Sequence, residues 1–173
     1  MRIQNQKAAA LLLGALIAAL SAGCGSSSTE TEASAAFVKP GAKNTIVKFG
    51  KEADSDERET ASKVLEESLK ARAAHDWATQ CATLSAPLVK EFEERGVYFN
   101  VGKSCPNALK NEASRVRKAT LANSMTGPID ALRVKGDRGF ALYHGAKGKN
   151  YAMRMALEDG DWKVAEVETI ELP

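Results

Sequence analysis

The spacing of apolar residues changes once along this chain, near Pro128, and no other feature restricts the fold as strongly. From Asp54 to Ser114, apolar residues recur every three or four positions, as on one face of a helix. Asp54 or Ser55 can cap a first helix, with Asp56 and Glu57 in its first turn. Ala61, Val64, Leu65, Leu69 and Ala73 form its apolar stripe. Glu59 with Lys63, and Glu66 with Lys70, are i,i+4 pairs in the favoured order. The helix is expected to end near "AHDW", where His75 meets the negative end of the dipole. A second, short helix carries Trp77, Cys81 and Leu84. A third opens at Ser85 and Pro87 and is expected to stop at Gly96; a fourth opens at Ser104 and Pro106.

Beyond Pro128 the period falls to two. "IDALRV", "FALYH", "YAMRMAL" and "WKVAEVETIEL" read as strands separated by the turns "KGDRG", "GAKGKN" and "EDGD". Helices first and strands second make an α+β layout, with helices packed on one face of a four-stranded antiparallel meander. Side-chain parity suggests a register. Setting His144 against Tyr151, Val134 against Phe140 and Leu157 against Trp162 gathers Leu132, Val134, Phe140, Leu142, Met153, Met155, Leu157, Trp162 and Val164 on one face. That face should lie under the helices, leaving Tyr143, Arg154 and Lys163 to solvent. The same register lines up Asp130, His144 and Tyr151 at the rim of the apolar face.

The N-terminus carries an address. Arg2 and Lys7 are its charges, Ala8–Leu20 is an apolar run of 13 residues, and "LSAGC" ends it at Cys24. The run is shorter than the roughly 20 residues that span a bilayer. The pattern is that of a signal peptide over residues 1–23, and "LSAGC" resembles a bacterial lipobox. That resemblance implies a diacylglyceryl (palmitate-type) group on Cys24 and cleavage before it, so that Cys24 becomes residue one. Two acyl chains suffice for a stable anchor. A lipoprotein held at the cell membrane and facing out of the cytoplasm is therefore expected. Residues 24–43, rich in Gly, Ser, Thr, Glu and Ala, read as a tether; 44–173 reads as one domain, with "NTIVKFG" (44–50) as a short strand laid on it.

Without Arg2 and Lys7 the charges balance, 22 basic against 22 acidic. No basic run is dense enough to follow phosphates, which leaves nucleic acid without support as a partner. Arg115, Arg117 and Lys118 read as a solvated helix face. With Cys24 acylated, Cys81 and Cys105 remain in an oxidising compartment, and two cysteines permit one disulfide. The alternatives are two buried thiols or a metal site. A metal site is poorly served, because there is no C-x-x-C and His75 and His144 are not at ligand spacing.

The long first helix with "DW" near its end, two further helices and a meander closing on "LEDGDWKV" resemble the nuclear transport factor two-like, or cystatin-like, cone shared by ketosteroid isomerases and many extracytoplasmic bacterial domains. "CATLS" and "SCPNAL" are similar to segments of secreted actinobacterial-type lipoproteins. The fold hosts enzymes, carriers and adaptors alike. There is no G-x-S-x-G, H-E-x-x-H, phosphate loop or dinucleotide fingerprint, and "EDGD" suits a hairpin turn better than a calcium loop. Nothing implies a cofactor. Three readings follow. The first is a non-enzymatic binding domain for a small ligand or envelope partner. The second is an isomerase-like or hydrolase-like enzyme using Asp130, His144 and Tyr151 at the cone rim, with His144 as base and Tyr151 as oxyanion donor. The third is a spacer with a filled cone, which the ten aromatic residues among 173 slightly favour.

Overall fold

The computed structural model describes residues 44–115, 128–145 and 148–173. The expected signal peptide, Cys24 and the expected tether lie outside these residues. Those described contain four helices and a six-stranded antiparallel sheet: β1 Lys51–Glu52, α1 Ser55–Ala74, α2 Trp77–Thr83, α3 Ala86–Tyr98, α4 Cys105–Ala113, β2 Ile129–Lys135, β3 Arg138–His144, β4 Asn150–Glu158, β5 Asp161–Val164 and β6 Ile170–Glu171.

The helix signals act as expected at most ends. Asp54 caps α1, accepting from Asp56 N at 3.1 Å and Glu57 N at 2.8 Å. His75 closes α1 in the left-handed region (φ 61) and stacks on Trp77, ring centroids 5.2 Å apart. Asp76 then caps α2, and hydrogen bonds from the Thr79 hydroxyl and N–H hold its carboxyl below the usual range. Ser85 offers α3 no side-chain cap; the Glu158 carboxylate, from the far end of β4, accepts from Ala86 N instead.

Two helix details differ from the sequence reading. The buried stripe of α1 includes Arg72, whereas Ala73 is exposed. Gly96 does not end α3, which runs on to Tyr98. A Cβ at Gly96 would stand 2.3 Å from the Gly102 carbonyl oxygen, so glycine is there for close approach of the next loop.

The sheet runs β1-β2-β3-β4-β5, with β6 beside β4. The meander is present, but "WKVAEVETIEL" forms two short strands along one edge of β4 rather than one. Residues 44–50 form turns rather than a strand, and pairing begins at Lys51. The β4–β5 register is as expected: Leu157 faces Trp162 and Met155 faces Val164 across a two-residue turn at Asp159 and Gly160, both with positive φ. The other two registers are shifted by one. The turn between β2 and β3 has two residues, so Val134 faces Gly139 and Leu132 faces Ala141. Tyr143 faces Tyr151, and His144 faces Asn150.

A one-residue slip moves a whole side-chain set to the other face. The helix-facing core therefore holds Leu132, Val134, Ala141, Tyr143, Tyr151, Met153, Met155, Trp162 and Val164, packed on Leu65, Leu69, Phe92 and Leu109. Tyr143, expected in solvent, is fully buried there. Leu142, expected under the helices, lies on the opposite face, as does Phe140. That face is not simply solvated. Val47 and Leu172 close over Ala131, Leu142 and Ala152 in a second small core. The 44–50 segment is held in place by Arg133, which donates to Phe49 O at 3.0 Å and Gly50 O at 2.8 Å and pairs with Glu52 at 3.1 Å. Arg154 does face solvent.

Cys81 and Cys105 form the disulfide, Cα atoms 6.2 Å apart, tying α2 to the start of α4. Closing a loop of this length contributes about 3–4 kcal/mol in the chain-entropy picture.

Candidate functional site

Three places carry chemistry. The first is the rim. A register shift between Ile129 and Ala131 turns Asp130 at the start of β2, beside His144 at the end of β3. His144 Nε2 and Asp130 Oδ2 are 4.0 Å apart, with side chains 53% and 40% exposed. The other ring nitrogen, Nδ1, donates to Asn150 Oδ1 at 2.7 Å. Both ring nitrogens therefore face protein side chains, an amide on one and a carboxylate on the other. A general base oriented by an acid has the opposite wiring, with the carboxylate on one nitrogen and the working nitrogen turned to substrate.

The third residue of the expected row is elsewhere. Tyr151 projects from the opposite face of the sheet, 5% exposed, its ring 5.8 Å from that of Tyr143. Its ring fits because residue 145 is glycine; a Cβ there would lie 2.2 Å from Tyr151 Cε2. The structure thus brings Asp130 and His144 together and separates Tyr151 from both. The reason is the two-fold alternation of a strand, applied to a register one residue away from the expected one.

The second place is the interior. Arg72, in the last turn of α1, is buried and donates through Nη1 to Val167 O at 2.8 Å. Burial pulls its guanidinium pKa down, and Tyr143 partly opposes that shift. The Tyr143 phenol is pushed well above its ordinary value, chiefly by burial, so it stays protonated. Among the described residues its hydroxyl has no hydrogen-bond partner, nor has Trp162 Nε1 or Gln80 Oε1. Sequence reasoning missed Arg72. The signal was present: it stands three residues after Leu69 and seven after Leu65, on the apolar stripe.

The third place is the tip of α3, also missed. Val97, Tyr98 and Phe99 are consecutive, and they are the large hydrophobics exposed among the described residues, at 56%, 82% and 38%. Tyr98 and Phe99 meet edge to face at 5.0 Å, and the Arg115 guanidinium lies 4.6 Å over the Phe99 ring. Asn100 (φ 59) and Gly102 (φ 85) then reverse the chain. Three apolar residues in a row ahead of turn residues are the readable signal, since such a run is unfavourable on a surface without a function.

A groove of about 550 Å³ lies between the first turns of α3 and the β3–β4 end of the sheet. Three of its charges take part in structural contacts: Glu158 caps α3, Glu91 pairs with Arg95, and Arg154 pairs with Glu166 at 3.2 Å; Arg138 also lines it. Among the described residues no group of three His, Cys, Asp or Glu side chains is placed to hold a metal ion. No described helix is long and apolar enough to cross a membrane. Comparison with protein-family models, with curated proteins and with solved structures finds no match.

Proposed function

We propose that this chain is a lipid-anchored, extracytoplasmic interaction domain of the cystatin-like, ketosteroid-isomerase-like cone class, binding through its surface. The observation that carries the reading is the tip of α3. Large apolar side chains elsewhere among the described residues are covered, whereas Val97, Tyr98 and Phe99 stand in water together. Exposed apolar clusters of this kind mark interaction sites. The long helix, the short helices and the meander, in that order, support the cone class. The rim supports binding over catalysis, because Tyr151 is withdrawn from Asp130 and His144 and the imidazole is wired to Asn150. The anchor rests on "LSAGC" after a charged and an apolar segment.

Two measurements test this reading. Metabolic labelling with an alkyne fatty acid should tag the wild type and spare Cys24→Ala; equal labelling removes the anchor. A photo-cross-linking amino acid at position 98 should give adducts in intact cells, and the same group at position 159 should give none. Bare protein at both positions refutes surface binding through the tip.

A further inference from the structure

We propose that the tip of α3 docks on the anionic lipid bilayer to which the chain is anchored, with Tyr98 in the headgroup layer and Lys103 and Arg115 against lipid phosphates. This rests on the lipid-anchor reading. The composition of the tip fits the headgroup region. Tyrosine suits that layer because its ring is apolar and its hydroxyl is polar. Val97 and Phe99 add apolar surface on either side of it.

On the loop side of the tip, beyond Val97, the charge is of the sign anionic lipid attracts. Between Val97 and Asn111 there is no acidic residue, while Lys103 and Lys110 are basic and exposed. The next acid along the chain, Glu112, is paired with Arg95 at 2.5 Å; on the helix side Glu93 and Glu94 precede the tip, Glu94 lying 4.0 Å from Lys90. Arg115, exposed, lies over Phe99.

The tip is held in shape before it meets anything. Val101 N donates to Gly96 O at 2.9 Å, and Asn107 Nδ2 donates to Val101 O at 3.1 Å. The disulfide pins Cys105 to α2. Little ordering cost then opposes insertion.

Reach also allows it. A segment with the composition of residues 24–43 has a root-mean-square span of about 25 Å. Phe49, soon after that segment joins the domain, lines the same groove as Pro87 and Glu91 of α3. The tip lies roughly 16 Å further along that helix, at 1.5 Å per residue.

The size of the patch favours a bilayer over a protein. A stable protein interface buries at least about 1,000 Å² with 20 or so residues a side. Three side chains and two cations fall short of that. A tethered domain meets its own membrane at high effective concentration, so a small patch suffices.

The test uses the full acylated chain, floated on vesicles of phosphatidylcholine with phosphatidylglycerol. Cys24 is then acylated and Cys81 is bonded to Cys105, so a thiol introduced by Val97→Cys takes an environment-sensitive fluorophore selectively. Nitroxide-labelled lipid should quench that fluorophore at least twofold more than one at Asp159→Cys in the β4–β5 turn. Quenching should fall when Tyr98→Ser is added or phosphatidylglycerol is omitted. If the chain floats but position 97 is quenched no more than position 159, docking is wrong and the anchor stands. Docking is equally wrong if Tyr98→Ser leaves the quenching unchanged. If the chain does not float, the anchor reading fails and the docking goes with it.

Discussion

Replacing Gly96 with alanine sets helix propensity against packing, and the structure decides which wins. Gly96 lies inside α3, two residues before its last residue, Tyr98. In an exposed helix interior, Gly→Ala adds about 1 kcal/mol of stability. Here the new Cβ would stand 2.3 Å from the Gly102 carbonyl oxygen and 3.6 Å from Ala108 Cβ. Carbon and oxygen approach to about 3.3 Å at closest without strain. The loop must therefore retreat by about 1 Å. It cannot do so freely, because Val101 N donates to Gly96 O at 2.9 Å and Cys105 is tied to Cys81. Overpacking costs about 1–3 kcal/mol, and a backbone obstacle belongs at the upper end because it has no rotamer to yield. Subtracting the propensity gain leaves a net loss of about 2 kcal/mol. For a domain of this size that is roughly 8 °C in Tm. Urea denaturation of wild type and Gly96→Ala, with the disulfide intact, measures it. A midpoint equal to or above wild type would refute the packing argument and make Gly96 an ordinary helix-interior glycine.

Two further outcomes follow from the sheet. Tyr143→Phe should leave stability unchanged or raise it by about 1 kcal/mol, since it removes a buried hydroxyl without a partner among the described residues; a loss above about 1 kcal/mol in chemical denaturation would count against that environment. The phenol's pKa is raised above its ordinary 10.0, so the folded state holds this proton more tightly than the unfolded one. Its contribution is complete below pH about 10 and lost as pH rises beyond it, so wild type should lose stability there faster than Tyr143→Phe. Leu142→Ala should cost about 2–5 kcal/mol, because Leu142 is fully buried in the small core under Val47 and Leu172. His144→Ala, on the exposed rim, should change stability by less than about 1 kcal/mol; a marked gain in stability on removing His144 or Asp130 would revive a catalytic site held at structural cost.

Much of the fold is legible in the sequence. Asp54 caps α1 and the helix ends at His75 as expected, because an N-cap oxygen and a chain end act over a few residues; the left-handed conformation of His75 is not signalled by its type. The Cys81–Cys105 disulfide matches the pairing expected from the cysteine count, with two thiols or a metal site as the alternatives. The β4–β5 register is legible because Asp159-Gly160 is a two-residue hairpin signal whose length leaves one pairing. The candidate rim is half legible. Asp130 and His144 do meet, but they do so through a bulge and a turn length that the sequence does not announce.

What the sequence by itself determined is local: helices before strands, where most of them begin, and one hairpin. What only the tertiary structure decided is which way β2 and β3 face. "FALYH" is apolar at Phe140, Ala141, Leu142 and Tyr143, so period-two alternation gives no parity. Both parities bury apolar residues, because Val47 and Leu172, distant in sequence, cover the second face while α1 and the short helices cover the first. The choice between them is made by the two-residue turn at Gly136-Asp137 and by Arg133 clamping the 44–50 segment to the sheet. The turn is local, but the Arg133 contacts span more than 80 residues, and no local pattern encodes them. Burial of Tyr143 and exposure of Val97–Phe99 are likewise properties of what packs nearby, since a side chain's own chemistry says how much it gains from cover and not whether cover arrives.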